Sequence, residues 1–153
     1  MKEEIVFASD FNQLRTEIHT LEGQMKPMQK MKKRILLIDR DPDTCEMLHI
    51  ILTYAGYEFA SANTMADGLA LAKTDSFDLI LLDFYFPDGT GLELTKFIRS
   101  FDGKIPIFFY TAESQEKHIQ EALQSEVQGY LIKPVETDYI LQTLSLYLDS
   151  RQT

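Results

Sequence analysis

The chain contains no tryptophan, one cysteine, five prolines and seven glycines among 153 residues. A single thiol excludes an internal disulfide and fits a reducing compartment. Cys45 falls within a helical pattern, where a small core residue is expected. Nowhere do apolar residues run for the roughly 18 positions that a membrane span needs. The first 30 residues also lack the apolar centre of a secretion signal, so the expected location is the cytoplasm. Positive charge is scarce beyond residue 34: residues 35–153 carry eight Lys/Arg against nineteen Asp/Glu, a net of −11. A surface that acidic argues against nucleic acid as a partner. Residues 1–34 carry seven Lys/Arg against five Asp/Glu. There the short cluster Lys30, Lys32, Lys33, Arg34 reads as a solvated lead-in to the first strand.

From residue 34 onward, strand and helix patterns alternate. The runs RILLID (34–39), YEFASA (57–62), FDLILLD (77–83), IPIFFYT (105–111) and GYLIK (129–133) are short and apolar, β-branched or aromatic. The first, third and fourth are almost wholly apolar, as in central strands of a parallel sheet covered on both faces. Helical periodicity lies between them. It sets Met47, Leu48, Ile51 and Leu52 on one face of 43–55, and Met65, Leu69 and Ala72 on one face of 64–73. The same reading groups Leu92, Leu94, Phe97, Ile98 and Phe101 over 91–101, then Ile119, Ala122 and Leu123 over 114–125. The last helix, 136–149, presents Tyr139, Ile140, Leu144 and Leu148. Gly56 suits the end of the first helix, and Asp43 and Ser114 are candidate caps. Five strand–helix units predict a doubly wound five-stranded parallel sheet with helices on both faces. Ligands of such sheets bind at the carboxyl ends of the strands.

Residues 1–33 form an N-terminal extension. Phe7, Phe11, Leu14, Ile18, Leu21, Met25 and Met28 are spaced 4-3-4-3-4-3, a heptad stripe. Gly23 weakens that helix and Pro27 ends it near residue 25. The segment reads either as a short partner or dimer helix, or as one packed on the domain or disordered. His19, His49 and His118 read as solvated helix residues.

At the strand ends stand Asp39, Asp83, Thr111 and Lys133, the last followed by Pro134; they are separated by 44, 28 and 22 positions. The topology brings all four to one rim. Crowded carboxylates favour a hard cation with oxygen ligands, and magnesium fits. Carboxylates around magnesium with a lysine opposite would neutralise an incoming phosphoryl group. A carboxylate there could itself be the nucleophile and form an acyl phosphate.

Residues 34–148 resemble the receiver domain of two-component response regulators. LILLDFYFPDGTGLEL (79–94) resembles the family's phosphoacceptor strand and loop, with Asp83, Pro87 and Gly91 at matching places. IPIFFYTA (105–112) resembles the strand ending in the switch threonine, here Thr111, followed by small Ala112. GYLIKP (129–134) resembles the strand with the switch aromatic, Tyr130, and the lysine, Lys133. The resemblance implies a flavodoxin-like strand order of 2-1-3-4-5 over a domain of 34–150, and a cis bond before Pro134. It implies phosphorylation of Asp83 by a sensor histidine kinase or a histidine phosphotransfer protein. Thr111, Ala112 and Lys133 would bind the phosphoryl group, Thr111 and Tyr130 would switch, and Asp39, Asp83 and the Tyr85 carbonyl would hold Mg2+. Output would be contact with an unidentified downstream protein, since no effector domain follows in this sequence. It would not be enzymatic beyond self-phosphorylation and self-dephosphorylation.

The sequence departs from that family at Arg40, where a second metal-binding acid is usual. A guanidinium cannot ligate magnesium and keeps its proton. Three arrangements are open: Asp41 substitutes as ligand; Arg40 pairs with Asp39 or Asp83 in place of a metal; or Arg40 faces solvent. The second of these would give a phosphate-independent docking module. Glu126 and Val127 replace the family's usual Gly-Ala, a change confined to a turn, and 136–149 has no Lys or Arg for a salt-bridged dimer. A haloacid-dehalogenase-like phosphatase is a remote alternative suggested by Asp39-Arg40-Asp41. That family's threonine is absent at Asp43, and so is its later acidic pair.

Overall fold

The computed structural model describes residues 15–17 and 31–149. Residues 15–17 are helical; every residue of the heptad stripe, His19 and the rest of residues 1–30 lie outside the described residues. Strand and helix then alternate: β1 Arg34–Ile38, α1 Pro42–Tyr54, β2 Glu58–Ala62, α2 Met65–Thr74 and β3 Leu79–Leu82. A small hairpin follows, β4 Tyr85–Phe86 and β5 Gly89–Thr90, and then α3 Gly91–Phe101, β6 Ile107–Thr111, α4 Glu116–Leu123, β7 Gly129–Ile132 and α5 Thr137–Asp149. The main sheet is five-stranded and parallel in the order β2-β1-β3-β6-β7. With the antiparallel hairpin set aside, this is the expected flavodoxin-like order. Strands of two residues are too short to show alternation, which is why the hairpin has no sequence signature.

Side chains alternate between the two faces of the sheet. Leu36, Ile38, Ile80, Leu82, Ile107 and Phe109 pack with Met65 of α2, Leu94 and Ile98 of α3 and Ala122 of α4. Ile35, Leu37, Leu79, Leu81, Phe108 and Tyr110 pack with Cys45, Leu48 and Leu52 of α1 and Ile140, Leu144 and Leu148 of α5. Covering both faces requires apolar residues throughout β3 and at every position of β1 after Arg34, and all eight are at most 1% exposed. Each contributes roughly 1.5–3 kcal/mol by burial, so the two central strands form a rigid base for whatever their ends carry.

The helix surfaces correct several expectations. Met47, Phe97, Phe101, Leu123 and Tyr139 point outward, because each lies beside, not on, the narrow stripe that reaches the sheet. In α1 that stripe is Cys45, Leu48 and Leu52. The caps differ as well. Asp41, not Asp43, caps α1, accepting from the Asp43 N–H at 3.0 Å and the Thr44 hydroxyl at 2.9 Å. Pro42 explains this, since proline suits the first helical position and starts the helix immediately after Asp41. Ser114 does not cap α4; the preceding Glu113 carboxylate takes the Gln115 N–H at 2.8 Å. Gly56 does end α1, at φ +99°. The Gly56 N–H bonds Thr53 O and the Tyr57 N–H bonds Leu52 O, which satisfies the last carbonyls.

Candidate functional site

The sheet ladder runs one residue past its strands and fixes the rim. Asp39 N–H bonds Ala62 O, Asp83 N–H bonds Ile38 O and Lys133 N–H bonds Thr111 O, at 2.9, 2.9 and 2.8 Å. Asp39, Asp83 and Thr111 are buried at 0, 7 and 2% exposure, and Lys133 is half-buried. Lys133 Nζ donates to Asp39 Oδ2 at 2.7 Å. Asp39 Oδ1 accepts from Asp41 N–H at 2.8 Å. Burial raises the Asp39 carboxyl above the ordinary carboxylate range; the Lys133 and Asp41 bonds oppose this, and the nearby Asp83 charge adds to it. Asp83 Oδ1 accepts from the Phe84 N–H at 2.7 Å. The loop after Asp83 is held by Asp88, which accepts from Met65 and Ala66 N–H at the start of α2. Those amide bonds lower the Asp88 pKa. Gly91 lets the chain return: its N–H bonds Phe84 O at 2.7 Å. A Cβ at Gly91 would stand 2.3 Å from the Asp83 carbonyl oxygen.

The second half of the rim is organised by Glu113. Its N–H donates to Thr111 Oγ1 at 3.2 Å, and its carbonyl accepts from the Tyr130 hydroxyl at 2.6 Å. The Tyr130 ring stacks on Phe109 with centroids 5.4 Å apart. Burial, then the Glu113 charge, push its phenol well above the ordinary range. Glu113 Oε1 also lies 3.3 Å from His118 Nδ1. His118 is therefore no solvated helix residue: its ring sits against Phe84 at 4.8 Å, and its Nδ1 meets the Tyr85 hydroxyl at 3.3 Å. His49 is exposed, edge-on to Phe59. No sequence pattern signals the Glu113–His118–Tyr85 contacts, which join the hairpin, the loop after β6 and the start of α4.

Ala112 is exposed beside Thr111, and the Lys133–Pro134 bond is cis. Arg40 is exposed and makes no hydrogen bond or ion pair among the described residues. Pairing of Arg40 with Asp39 or Asp83 is thus not what the chain adopts; Lys133 fills that role. Asp41 is committed to the α1 cap, and those bonds lower its pKa. Among the described residues no three His, Cys, Asp or Glu side chains converge as a metal-holding group. The Asp39 and Asp83 carboxylates stand at the rim, and three of their four oxygens have the partners above. They are hard oxygen donors of the kind magnesium takes.

Residues 35–145 match the family model of the response regulator receiver domain. The chain belongs to that family. It is 37% identical over 111 residues to the transcriptional regulatory protein ZraR of Klebsiella oxytoca, covering 72% of this chain and 25% of that protein. It is 43% identical over 84 residues to the transcriptional regulatory protein CitT of Bacillus subtilis, covering 55% of this chain and 37% of that one. The chain thus spans only 25% and 37% of these relatives' length. A CheY-like receiver domain protein from Methanospirillum hungatei superposes with a TM-score of 0.75 at 28% identity, covering 78% of this chain and 96% of that one. A two-component response regulator from Clostridium difficile does so with 0.76 at 29%, covering 80% and 100%. As a receiver domain the chain is a two-component signalling module, and no helix among its described residues is long and apolar enough to cross a membrane.

Proposed function

We propose that this receiver accepts a phosphoryl group on Asp83 from a phosphohistidine of a sensor kinase or phosphotransfer protein, and signals by contact with a downstream protein. The observation that carries this reading is the placement of Asp83. It is a nearly buried carboxylate at the end of a rigid central strand, on the rim that also holds the Lys133–Asp39 pair and Thr111. In the proposed step an Asp83 carboxylate oxygen attacks phosphorus, the phosphorus–nitrogen bond breaks, and the imidazole leaves with the bonding pair. An acyl phosphate results. Lys133 then exchanges Asp39 for the phosphoryl oxygens, with the Thr111 hydroxyl and the Ala112 backbone beside it. Asp39, Asp83 and the Tyr85 carbonyl are the residues that would hold Mg2+, which supplies charge neutralisation when bound.

The Thr111 hydroxyl accepts from the Glu113 N–H and the Tyr130 hydroxyl donates to the Glu113 carbonyl, so the two are joined through the backbone of one residue. A phosphoryl group that takes the Thr111 hydroxyl therefore disturbs the residue that anchors Tyr130. Tyr130 adjoins an exposed groove with Ile132, Pro134, Val135 and Tyr139, the surface through which the change would be read. A second reading is a docking module indifferent to phosphate, because Arg40 stands where the family usually has a metal-binding acid. Intact mass after incubation with acetyl phosphate, with and without magnesium, separates the two. One phosphoryl adduct, absent from Asp83→Asn, is the expected result; no adduct under any condition favours the docking module.

A further inference from the structure

Arg40 stands between two residues whose backbone and side chains are pinned to the rim. On one side, the Asp39 carbonyl accepts from Asn63 Nδ2 at 2.8 Å, and its carboxylate holds Lys133 and the Asp41 N–H. On the other, Asp41 caps α1 and its carbonyl accepts from the Cys45 N–H. The backbone at 40 is fixed while its guanidinium has no hydrogen-bond or ion-pair partner among the described residues. The other two arginines of residues 34–149 are fully engaged. Arg34 bonds Glu58, Asp75 and the Ser76 carbonyl. Arg99 bonds the carbonyls of Asp102, Ile105 and Glu126 and the Gln128 side chain.

The charge at the rim gives that free guanidinium a task. Asp39 and Asp83 bring two negative charges, Lys133 returns one, and an arriving phosphoryl group brings about two more. In the loops that follow the strands (39–41, 63–64, 83–90, 112–115 and 133–136), Arg40 and Lys133 are the only Lys or Arg. Lys133 is already taken by Asp39. Repulsion between like charges a few ångströms apart costs several kcal/mol at a protein surface unless a cation intervenes. Guanidinium presents a planar fork of N–H donors that matches two phosphate oxygens at once.

We propose that Arg40 is an anion-binding residue of the phosphoacceptor pocket, receiving the phosphoryl group of the donor together with Lys133. The ligand class is a phosphoryl dianion, whether carried by an imidazole, a carboxyl or water. This rests on the proposed phosphoacceptor role of Asp83. It gives position 40 a function opposite in sign to that of a metal-binding acid: it brings charge to the phosphate directly, so that anion binding does not depend on magnesium.

The test reads binding instead of turnover. The full chain, freed of divalent cations with a chelator, is titrated with inorganic phosphate and followed by amide chemical shifts. The expected result is a saturable shift centred on residues 39–41, 83–85 and 133. Arg40→Ala should weaken it about tenfold or more, the size of a lost charge-assisted pair, and Arg40→Lys should restore part of it. Unchanged amide dispersion away from the pocket shows that each variant is folded. Equal phosphate affinity in wild type and Arg40→Ala, shifts centred elsewhere, or no saturable shift in the wild type each overturns the assignment. The acetyl phosphate experiment fails independently. An Asp83 adduct with no Arg40-dependent phosphate binding removes the Arg40 role alone. Arg40-dependent binding with no adduct removes the phosphoacceptor reading and leaves a phosphate-binding pocket.

Discussion

Lys133 Nζ lies 2.7 Å from Asp39 Oδ2, and this pair, not Arg40, accompanies a carboxylate that is 0% exposed. Removing the lysine leaves that carboxylate with only the Asp41 N–H. Lys133→Ala is expected to cost about 1–3 kcal/mol, the penalty for a buried charged acceptor losing its partner. Urea denaturation at pH 7 measures it.

The same pair predicts a pH dependence. The Asp39 pKa is raised in the folded protein, chiefly by burial. A raised acid favours folding at pH values below its unfolded pKa, and that advantage is lost as pH rises through the folded value. Asp39→Asn carries no such term. It should therefore be at least as stable as the wild type at pH 7, and its relative advantage should shrink as pH falls toward the ordinary aspartate range. Asp41, Asp88 and Glu113, whose pKa values are lowered, act in the opposite direction but are common to both proteins. Their effect cancels in the difference. Paired urea melts at pH 4 and pH 7 decide the sign; a variant disadvantage that is greatest at pH 7 would contradict it.

Gly91→Ala tests how closely the loop after Asp83 is folded on itself. The new methyl would meet the Asp83 carbonyl oxygen at 2.3 Å and Phe109 Cε1 at 2.6 Å. A backbone oxygen cannot rotate aside as a flexible side chain can. The expected loss is roughly 1–3 kcal/mol, as for overpacking in a core, together with shifted amide resonances at 83–85. A variant of unchanged stability would mean the loop yields freely.

The fold was legible where its cause is local. Apolar runs at 34–39, 77–83 and 105–111 reported strands buried on both faces, and the helices between them dictated parallel crossovers. From that order alone Asp39, Asp83, Thr111 and Lys133 had to share a rim, and they do. What stayed hidden depends on tertiary direction. The 3.6-residue period placed Met47 and Phe97 near the core stripe but could not resolve a one-position rotation of the helix, and both face solvent. His118 gave no signal because its partners, Phe84, Tyr85 and Glu113, come from two other segments. Arg40 is conspicuous as a residue type, but sequence alone leaves its pairing open; in the fold it is Lys133 that pairs with Asp39.

Arg99 also shows a dependence that no sequence pattern announces. Glu126 has φ +61°, a left-handed conformation costly for a non-glycine residue. Two nitrogens of Arg99 bond its carbonyl, at 3.1 and 2.7 Å, and another bonds Ile105 O at 2.8 Å. Arg99→Lys keeps the charge but loses the fork. It should destabilise the domain by about 1–2 kcal/mol, and Glu126→Gly should recover part of the loss by relieving the backbone. Thermal melts of the two variants and their combination test this. Failure of the glycine to help would show that the turn is not held against its own preference.

Tyr130→Phe and Thr111→Val probe whether the two hydroxyls on the Glu113 backbone act as one unit. Each deletes a single hydrogen bond, to the Glu113 carbonyl and from the Glu113 N–H respectively, and each should cost about 1 kcal/mol. Independent bonds would give additive losses. Bonds to the N–H and the carbonyl of one residue should not, because either alone restrains its backbone while loss of both frees it. A coupling energy of at least about 0.5 kcal/mol is therefore expected in the double-mutant cycle. The sign is informative: the double variant should lose more than the sum if the bonds are alternative restraints, and less if one bond already requires the other. Strict additivity would mean that movement of Thr111 is not transmitted to Tyr130 through Glu113, and the proposed route from phosphoryl group to exposed groove would have to run elsewhere.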